Sequence, residues 1–246
     1  MRFTLCAFLL VIMFVGGCSS TPTAGKEESI SAEELYLKSY KLLQEQEYTE
    51  AAETFDKIDR QYPYSPWAAK AQIMSAYSYY LKGSYDDAIL TLDRFIQLHP
   101  GNQYTVYAFY LKGLSYYNQI SDIGREQQMS KMALETFNTL LARYPYSMYT
   151  NDAMLKMEQI QDQLAGKDME VGRYYLQNKE YYAALNRFQD VIANYPVSTQ
   201  VPEAYYRLAV VMKALGLKEQ MNSLLAVAER KFPESEWFKK MQKLVK

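Results

Sequence analysis

A proline follows an aromatic or imidazole ring five times along this chain, at Tyr62-Pro63, His99-Pro100, Tyr144-Pro145, Tyr195-Pro196 and Phe232-Pro233. Two residues beyond each proline stands a helix-capping side chain: Ser65, Asn102, Ser147, Ser198 or Ser235. Proline lacks an N–H and clashes with the preceding turn, so it ends one helix. Serine and asparagine accept from the free N–H groups that open the next. Pro66 is expected at the first helical position, where a missing N–H costs nothing. The proline intervals are 37, 45, 51 and 37 residues. Such a recurrence requires a solenoid of helix pairs, each unit packed on its neighbours.

Within the units, residues recur in columns. Ala51, Ala88, Ala133, Ala184 and Met221 share one position in the second helix of each pair. Four residues on come Phe55, Leu92, Phe137, Phe188 and Leu225, then Ile58, Phe95, Leu140, Val191 and Ala228. That i, i+4, i+7 spacing is a buried helical stripe. In the first helices Ser39, Ala76, Gly113, Gly172 and Ala209 form a column of small residues, followed three places later by Leu42, Tyr79, Tyr116, Tyr175 and Met212. These columns match the tetratricopeptide (TPR) pattern over residues 32–233. The fold class is therefore expected to be all-α, a solenoid of five helix pairs. Residues 234–246 then form a capping helix, with Trp237, Phe238, Met241 and Leu244 covering the last unit.

Against a unit of about 34 residues, the third carries eleven extra residues around Asn118 to Gln128, between its helices, and the fourth seventeen before Val171. Ala153, Met154, Met157, Ile160 and Leu164 keep helical spacing and lead on to Met169 and Tyr175. One long helix is expected over about 149–178, or two nearly collinear ones meeting at Gly166, reaching roughly 25 Å beyond a regular unit. Insertions in solenoids usually map to a binding face; local packing adjustment is the alternative.

Composition limits the chemistry. One His and two Cys in 246 residues are very few, and no Cys-His dyad, Ser-His-Asp triad or zinc pattern is expected from them. His99 reads as a packing residue, Asp86-Asp87 as a helix-opening pair that complements the macrodipole, and Lys239-Lys240 as a solvated face. No catalytic, metal or nucleotide site is expected, and a formal charge of −1 gives no bulk attraction to nucleic acid.

Both cysteines lie at the amino terminus. Arg2 precedes an apolar stretch, Phe3 to Val15, too short to span a bilayer comfortably and read as a signal segment. Val15-Gly16-Gly17-Cys18 resembles the lipobox of bacterial lipoproteins. That resemblance implies removal of residues 1–17 and covalent N-acyl and S-diacylglycerol lipid on Cys18, with no other cofactor. Ser19, where an Asp would resemble an inner-membrane retention signal, favours the outer membrane. Residues 18–30 carry the lipid and a small, polar, flexible tether.

Tyrosine supplies 24 residues. In TPR stacks the first helices line the concave face. Carried over from that resemblance, the groove positions are Tyr36 and Tyr40 in the first unit, Tyr77 and Tyr80 in the second, and Tyr107, Tyr110 and Tyr117 in the third. Lys70 and Ile73 also take groove positions in the second unit. Tyrosine joins a large apolar face to a polar tip with little entropy to lose. Such a groove suits an extended or short helical peptide with aromatic anchors.

Several stretches go beyond the general repeat: Leu92-Asp93-Arg94-Phe95-Ile96-Gln97-Leu98-His99-Pro100, Tyr144-Pro145-Tyr146-Ser147-Met148-Tyr149-Thr150-Asn151-Asp152-Ala153, Val171-Gly172-Arg173-Tyr174-Tyr175 and Tyr181-Tyr182-Ala183-Ala184-Leu185-Asn186-Arg187-Phe188. With the lipobox, tether and enlarged third and fourth units, they resemble the BamD family of TPR lipoproteins of the outer-membrane β-barrel assembly (BAM) machinery. The resemblance implies a non-catalytic scaffold on the periplasmic face of the outer membrane. Its groove repeats, about 31–145, would recognise aromatic carboxy-terminal signals of unfolded outer-membrane proteins. Its partner-docking repeats, about 146–233, would meet the POTRA domains of the β-barrel insertase, with Asn186 and Arg187 at that surface; other BAM lipoproteins are further implied partners. The segment Gly124-Arg125-Glu126-Gln127-Gln128 departs from some longer, more charged relatives. A TPR scaffold or pilotin for a pilus or polysaccharide exporter remains the alternative.

Overall fold

The computed structural model describes residues 30–120 and 127–245. The expectations for the signal segment, Cys18, nearly all of the tether and Gly124 to Glu126 lie outside the described residues. By compactness the chain divides into Met1–Ser31 and Ala32–Lys246. Only the second is described at length.

Among the described residues there are eleven helices and no strand. The first pair is α1 (Ala32–Gln44) and α2 (Tyr48–Gln61), the second α3 (Ala68–Lys82) and α4 (Tyr85–Leu98), and the third α5 (Thr105–Tyr117) and α6 (Gln128–Arg143). The fourth is α7 (Thr150–Gln177) and α8 (Tyr181–Asn194), the fifth α9 (Val201–Ala214) and α10 (Lys218–Lys231), and α11 (Glu236–Val245) closes the stack. Five helix pairs and a cap are what the proline recurrence requires.

The columns form the core. Phe55, Leu92, Phe137 and Phe188 are fully buried, as are Ala51, Ala88, Ala133, Ala184, Ile58, Phe95, Leu140 and Val191. The small residues of the first helices face these rings. A β-carbon on Gly172 would stand 2.6 Å from Phe188 Cε1, and one on Gly113 would overlap the Phe137 ring. Each phenylalanine therefore fills space that only the absence of a side chain leaves open. Phe238 and Met241 of α11 are buried against the fifth unit, and Trp237 and Leu244 cover it less completely.

Two repeated turns set the geometry. Each second helix ends on the ring before proline, whose N–H still reaches the carbonyl four residues back, as Tyr62 to Ile58 at 2.8 Å and Tyr144 to Leu140 at 2.8 Å. The capping side chains then act one step earlier than expected. Ser65 Oγ accepts from Trp67 N–H at 3.2 Å and Asn102 Oδ1 from Tyr104 N–H at 2.9 Å, while the Ser65 carbonyl accepts from Ala68 N–H at 3.0 Å. These residues thus open a short i→i+3 turn, and the α-helix follows three residues later. Pro66 accordingly lies in that turn, before α3 begins, correcting its expected place at the first helical position.

Between the helices of a pair the chain reverses through a left-handed residue: Gln46 (φ 65°), Gly83 (φ 82°), Lys179 (φ 61°) and Gly216 (φ 76°). The next N–H reaches back across the helix end, as from Glu47 to the Leu42 carbonyl at 3.0 Å and from Glu180 to that of Tyr175 at 2.9 Å. The third pair instead separates its helices by residues 118–127. Against this chain's own 37-residue spacing, the third unit is enlarged by eight residues and the fourth by fourteen.

The fourth enlargement is one continuous helix. α7 runs for 28 residues, against 13 for α1 and 15 for α3, an extension of about 20 Å at 1.5 Å per residue. Gly166 lies inside it without a break. The first half of α7 buries Ala153, Ile160 and Leu164 with Phe137 and Leu140 of the third unit. Its second half buries Ala165 and Met169 with Phe188 and Val191 of the fourth. One helix therefore belongs to two consecutive interfaces and joins the amino-terminal units to the carboxy-terminal ones.

Candidate functional site

The expected groove tyrosines are on the first helices, and five rings there form one surface. Tyr77 and Tyr80 come from α3, Tyr107 and Tyr110 from α5, and Tyr149 from the turn before α7. Tyr149 stacks on Tyr110 with centroids 4.7 Å apart and 19° between planes, and approaches Tyr107 at 5.5 Å. Tyr107 and Tyr110 lie 6.5 Å apart. The hydroxyl of Tyr80 accepts from Asn118 Nδ2 at 2.9 Å.

The extended half of α7 flanks this surface. Tyr110 donates to Asp152 Oδ2 at 2.7 Å and Tyr117 to Gln159 Oε1 at 2.7 Å, each across 42 residues of sequence. Both the tyrosines and their acceptors are seven residues apart, two helical turns, so α5 and α7 carry matching rungs. Lys156, one turn from Asp152, sits 5.1 Å from the Tyr117 ring and 3.6 Å from Asp152 Oδ1. The enlarged fourth unit packs the third unit's core, as the packing alternative expects, and lies along one side of the tyrosine-bearing α5.

Two members stand apart. Tyr40 is exposed, at 43%. Tyr36, expected on the groove, belongs to the core: it is 5% exposed, edge-on to Phe55 at 5.3 Å and packed on Trp67 at 4.7 Å. The physical reason is Trp67, which folds down from the following turn and covers the ring. Tyr36 supports the surface from beneath.

Burial strengthens the preference of three of these phenols for the protonated form. Desolvation pushes the Tyr107 hydroxyl well above the usual range, and the phenols of Tyr77 and Tyr149 add to it. Desolvation and then the Asp152 carboxylate do the same for Tyr110. For Tyr80 burial raises the value while the Asn118 hydrogen bond opposes it. Tyr80, Tyr107 and Tyr110 therefore present aromatic faces and hydroxyl tips, with the Asp152 and Lys156 charges of α7 beside them. The surface is chemically suited to an apolar, aromatic chain.

Tyr149 was not among the expected groove residues. Aromatic rings two places beyond the capping residue recur at Trp67, Tyr104, Tyr149 and Trp237. Three of them pack against the ring three residues before the small-residue column: Tyr110–Tyr149 stacked, and Tyr36–Trp67 and Tyr206–Trp237 tilted, the last at 5.5 Å. That periodicity was available in the sequence.

In the carboxy-terminal units Asn186 is exposed on α8, one turn from Tyr182, which is 74% exposed. Arg187 is half-buried and donates to Asp168 Oδ1 on α7 at 3.1 Å. Its guanidinium is thus held against α7 while part of it faces solvent. Among the described residues no group of three or more His, Cys, Asp and Glu side chains is placed to hold a metal ion, and no helix is long and apolar enough to cross a membrane.

Comparison with known proteins assigns this architecture. Residues 28–226 match the family YfiO, described as outer membrane lipoprotein. The chain is 38% identical to the outer membrane protein assembly factor BamD of Caulobacter vibrioides over 94% of its length and 77% of the relative's. It is 37% identical to BamD of Rickettsia prowazekii over 98% of this chain and 96% of that one. BamD of Neisseria meningitidis serogroup B is 30% identical, over 92% and 90%.

Proposed function

This chain belongs to the YfiO family of outer membrane lipoproteins, which includes the BamD assembly factors, and from that premise we propose that it is a non-catalytic scaffold of β-barrel assembly. Its amino-terminal units hold the aromatic carboxy-terminal segment of an unfolded outer-membrane protein. Its carboxy-terminal units dock on the POTRA domains of the insertase through a surface that includes Asn186 and Arg187, and other BAM lipoproteins join the same complex. Acylation of Cys18 anchors the chain to the periplasmic face of the outer membrane. Two or more acyl chains give stable anchoring where one does not, at ~0.8 kcal/mol per buried methylene.

The observation that carries the client reading is the tyrosine surface of α3, α5 and the start of α7. Stacked, hydrogen-bonded rings lose little entropy when a ligand covers them. They offer aromatic faces to side chains and hydroxyls to a peptide backbone. For the docking reading, Asp168 fixes the Arg187 guanidinium in place and leaves donors for a partner's carboxylate.

Depletion of the protein in its own cells tests the assembly role. The reading expects many folded outer-membrane barrels to fall together. Loss of a single appendage or exported polymer, with barrels unaffected, would place the chain in another envelope machine.

A further inference from the structure

We propose that a recess between α2 and α4 takes the glutamine side chain of a partner polypeptide, with Gln72 as the receiving group. The recess holds about 290 Å³, and its lining includes Asp56, Asp59 and Arg60 of α2, Gln72 of α3, and Leu90 and Arg94 of α4. No residue of the tyrosine surface lines it, so the site is independent of the client-binding reading. Gln72 is 2% exposed, and its Oε1 is buried with no hydrogen-bond partner among the described residues. The neighbouring groups explain why. One and two turns along the same face of α3, Ser75 donates to Asp56 Oδ1 at 2.6 Å and Tyr79 to Asp56 Oδ2 at 2.9 Å. Asp59, one turn further along α2, can only accept, and Arg94 Nη2 already engages its Oδ2 at 3.0 Å. The recess thus holds an unpaired acceptor beside a carboxylate that is also an acceptor. A buried acceptor left unpaired carries a desolvation penalty that a donor entering from outside relieves.

The charges of the lining select the class of that donor. Two carboxylates, Asp56 and Asp59, balance two guanidiniums, Arg60 and Arg94. An incoming ammonium would meet the arginines, and an incoming carboxylate would meet the aspartates. A neutral group that both donates and accepts suits all four. A primary amide is such a group: its two N–H donors serve Gln72 Oε1 and a rim carboxylate, and its carbonyl accepts from Arg60. A hydroxyl has one proton and cannot donate twice. Leu90, 71% exposed, gives the wall an apolar stretch on which the methylene stem of glutamine lies. The volume is at the small end for a ligand site and matches one side chain rather than a large molecule.

The test is a nuclear magnetic resonance titration of the isotope-labelled full chain with acetyl-glutamine-methylamide and with its glutamate, lysine and norleucine counterparts. Signals of the Gln72 amide and of the α2 and α4 backbone around the recess should move saturably with the glutamine compound. That compound should bind about fivefold more tightly than the other three, the gain of one net hydrogen bond. Gln72→Leu should remove the preference and raise the denaturation midpoint of the free chain, because an unpaired acceptor leaves the interior. Arg60→Met, at an exposed position, should weaken the glutamine compound alone, with helicity unchanged. Equal affinity for all four compounds, or no saturable movement, overturns the assignment. Tighter binding of the glutamate or lysine compound overturns it as well, since the recess then selects an ion. A lowered midpoint in Gln72→Leu does the same, the amide then being paired within the folded chain. None of these outcomes bears on the client groove.

Discussion

The Tyr110 hydroxyl donates to Asp152 Oδ2 at 2.7 Å while its ring stacks on Tyr149, so a single side chain of α5 holds both the turn before α7 and the first turn of α7 itself. Tyr110→Phe keeps the ring and removes the hydrogen bond. It should lower stability by about 1 to 2 kcal/mol, since a half-buried bond to a charged acceptor is lost. Chemical denaturation checks this; paired with Asp152→Ala, the two losses should be less than additive.

Gly113 and Gly172 stand where Phe137 and Phe188 fill the space a side chain would take. Alanine at either should destabilise by about 1 to 3 kcal/mol through overpacking. Gly166 lies in the same long helix as Gly172 with nothing within 4 Å of an added β-carbon. Gly166→Ala should therefore stabilise by about 0.5 to 1 kcal/mol. Opposite signs at two glycines of one helix would be read from their denaturation midpoints.

Gln46 and Lys179 hold φ of 65° and 61°, where the equivalent positions in other units carry Gly83 and Gly216. Gln46→Gly and Lys179→Gly should each stabilise by about 0.5 to 1 kcal/mol, because a left-handed β-carbon is strained. Thermal unfolding of the single and double variants measures this, and the two increments should add, the sites being far apart in sequence and in different units.

Burial pushes the Tyr79 hydroxyl up to about 12 from 10.0, with the Asp56 carboxylate, which accepts from it at 2.9 Å, adding to the rise. A raised folded-state value means that the stabilisation is complete below the unfolded value of 10.0 and is lost as pH rises through 12. The chain should weaken across that alkaline window, and Tyr79→Phe should flatten the decline. Ultraviolet tyrosinate absorbance alongside helicity measures both; a slope unchanged in the variant would contradict the assignment.

Much of this architecture was legible because a repeat multiplies each signal. Ala51, Phe55 and Ile58 recur five times in register, so a stripe ambiguous once becomes decisive in series. The single helix across Gly166 was one of two open readings. Good helix-forming neighbours on both sides carry the chain through it, since an isolated glycine costs only about 1 kcal/mol. What the spacing concealed were contacts between units. Tyr36 and Tyr110 occupy the same column, yet Trp67 covers the first while Tyr149 stacks on the second and leaves it partly accessible. A periodic pattern identifies which face a residue takes on its own helix; it does not say how large a ring the next turn lays upon it. The same limit applies to Arg187, whose partner Asp168 lies on a different helix.

The central claim, that the tyrosine-bearing first helices hold the aromatic end of a client chain, is tested most directly by site-specific photocrosslinking. A photoreactive residue is placed in turn at Tyr40 and Tyr77 on the first helices, and at the exposed Leu90 and Leu98 on α4. A peptide ending in Phe should label the chain from Tyr40 and Tyr77 through its last residues, and excess unmodified peptide should suppress the labelling. Equal labelling from Leu90 and Leu98, or none from Tyr40 and Tyr77 under conditions where the peptide binds, would contradict the account.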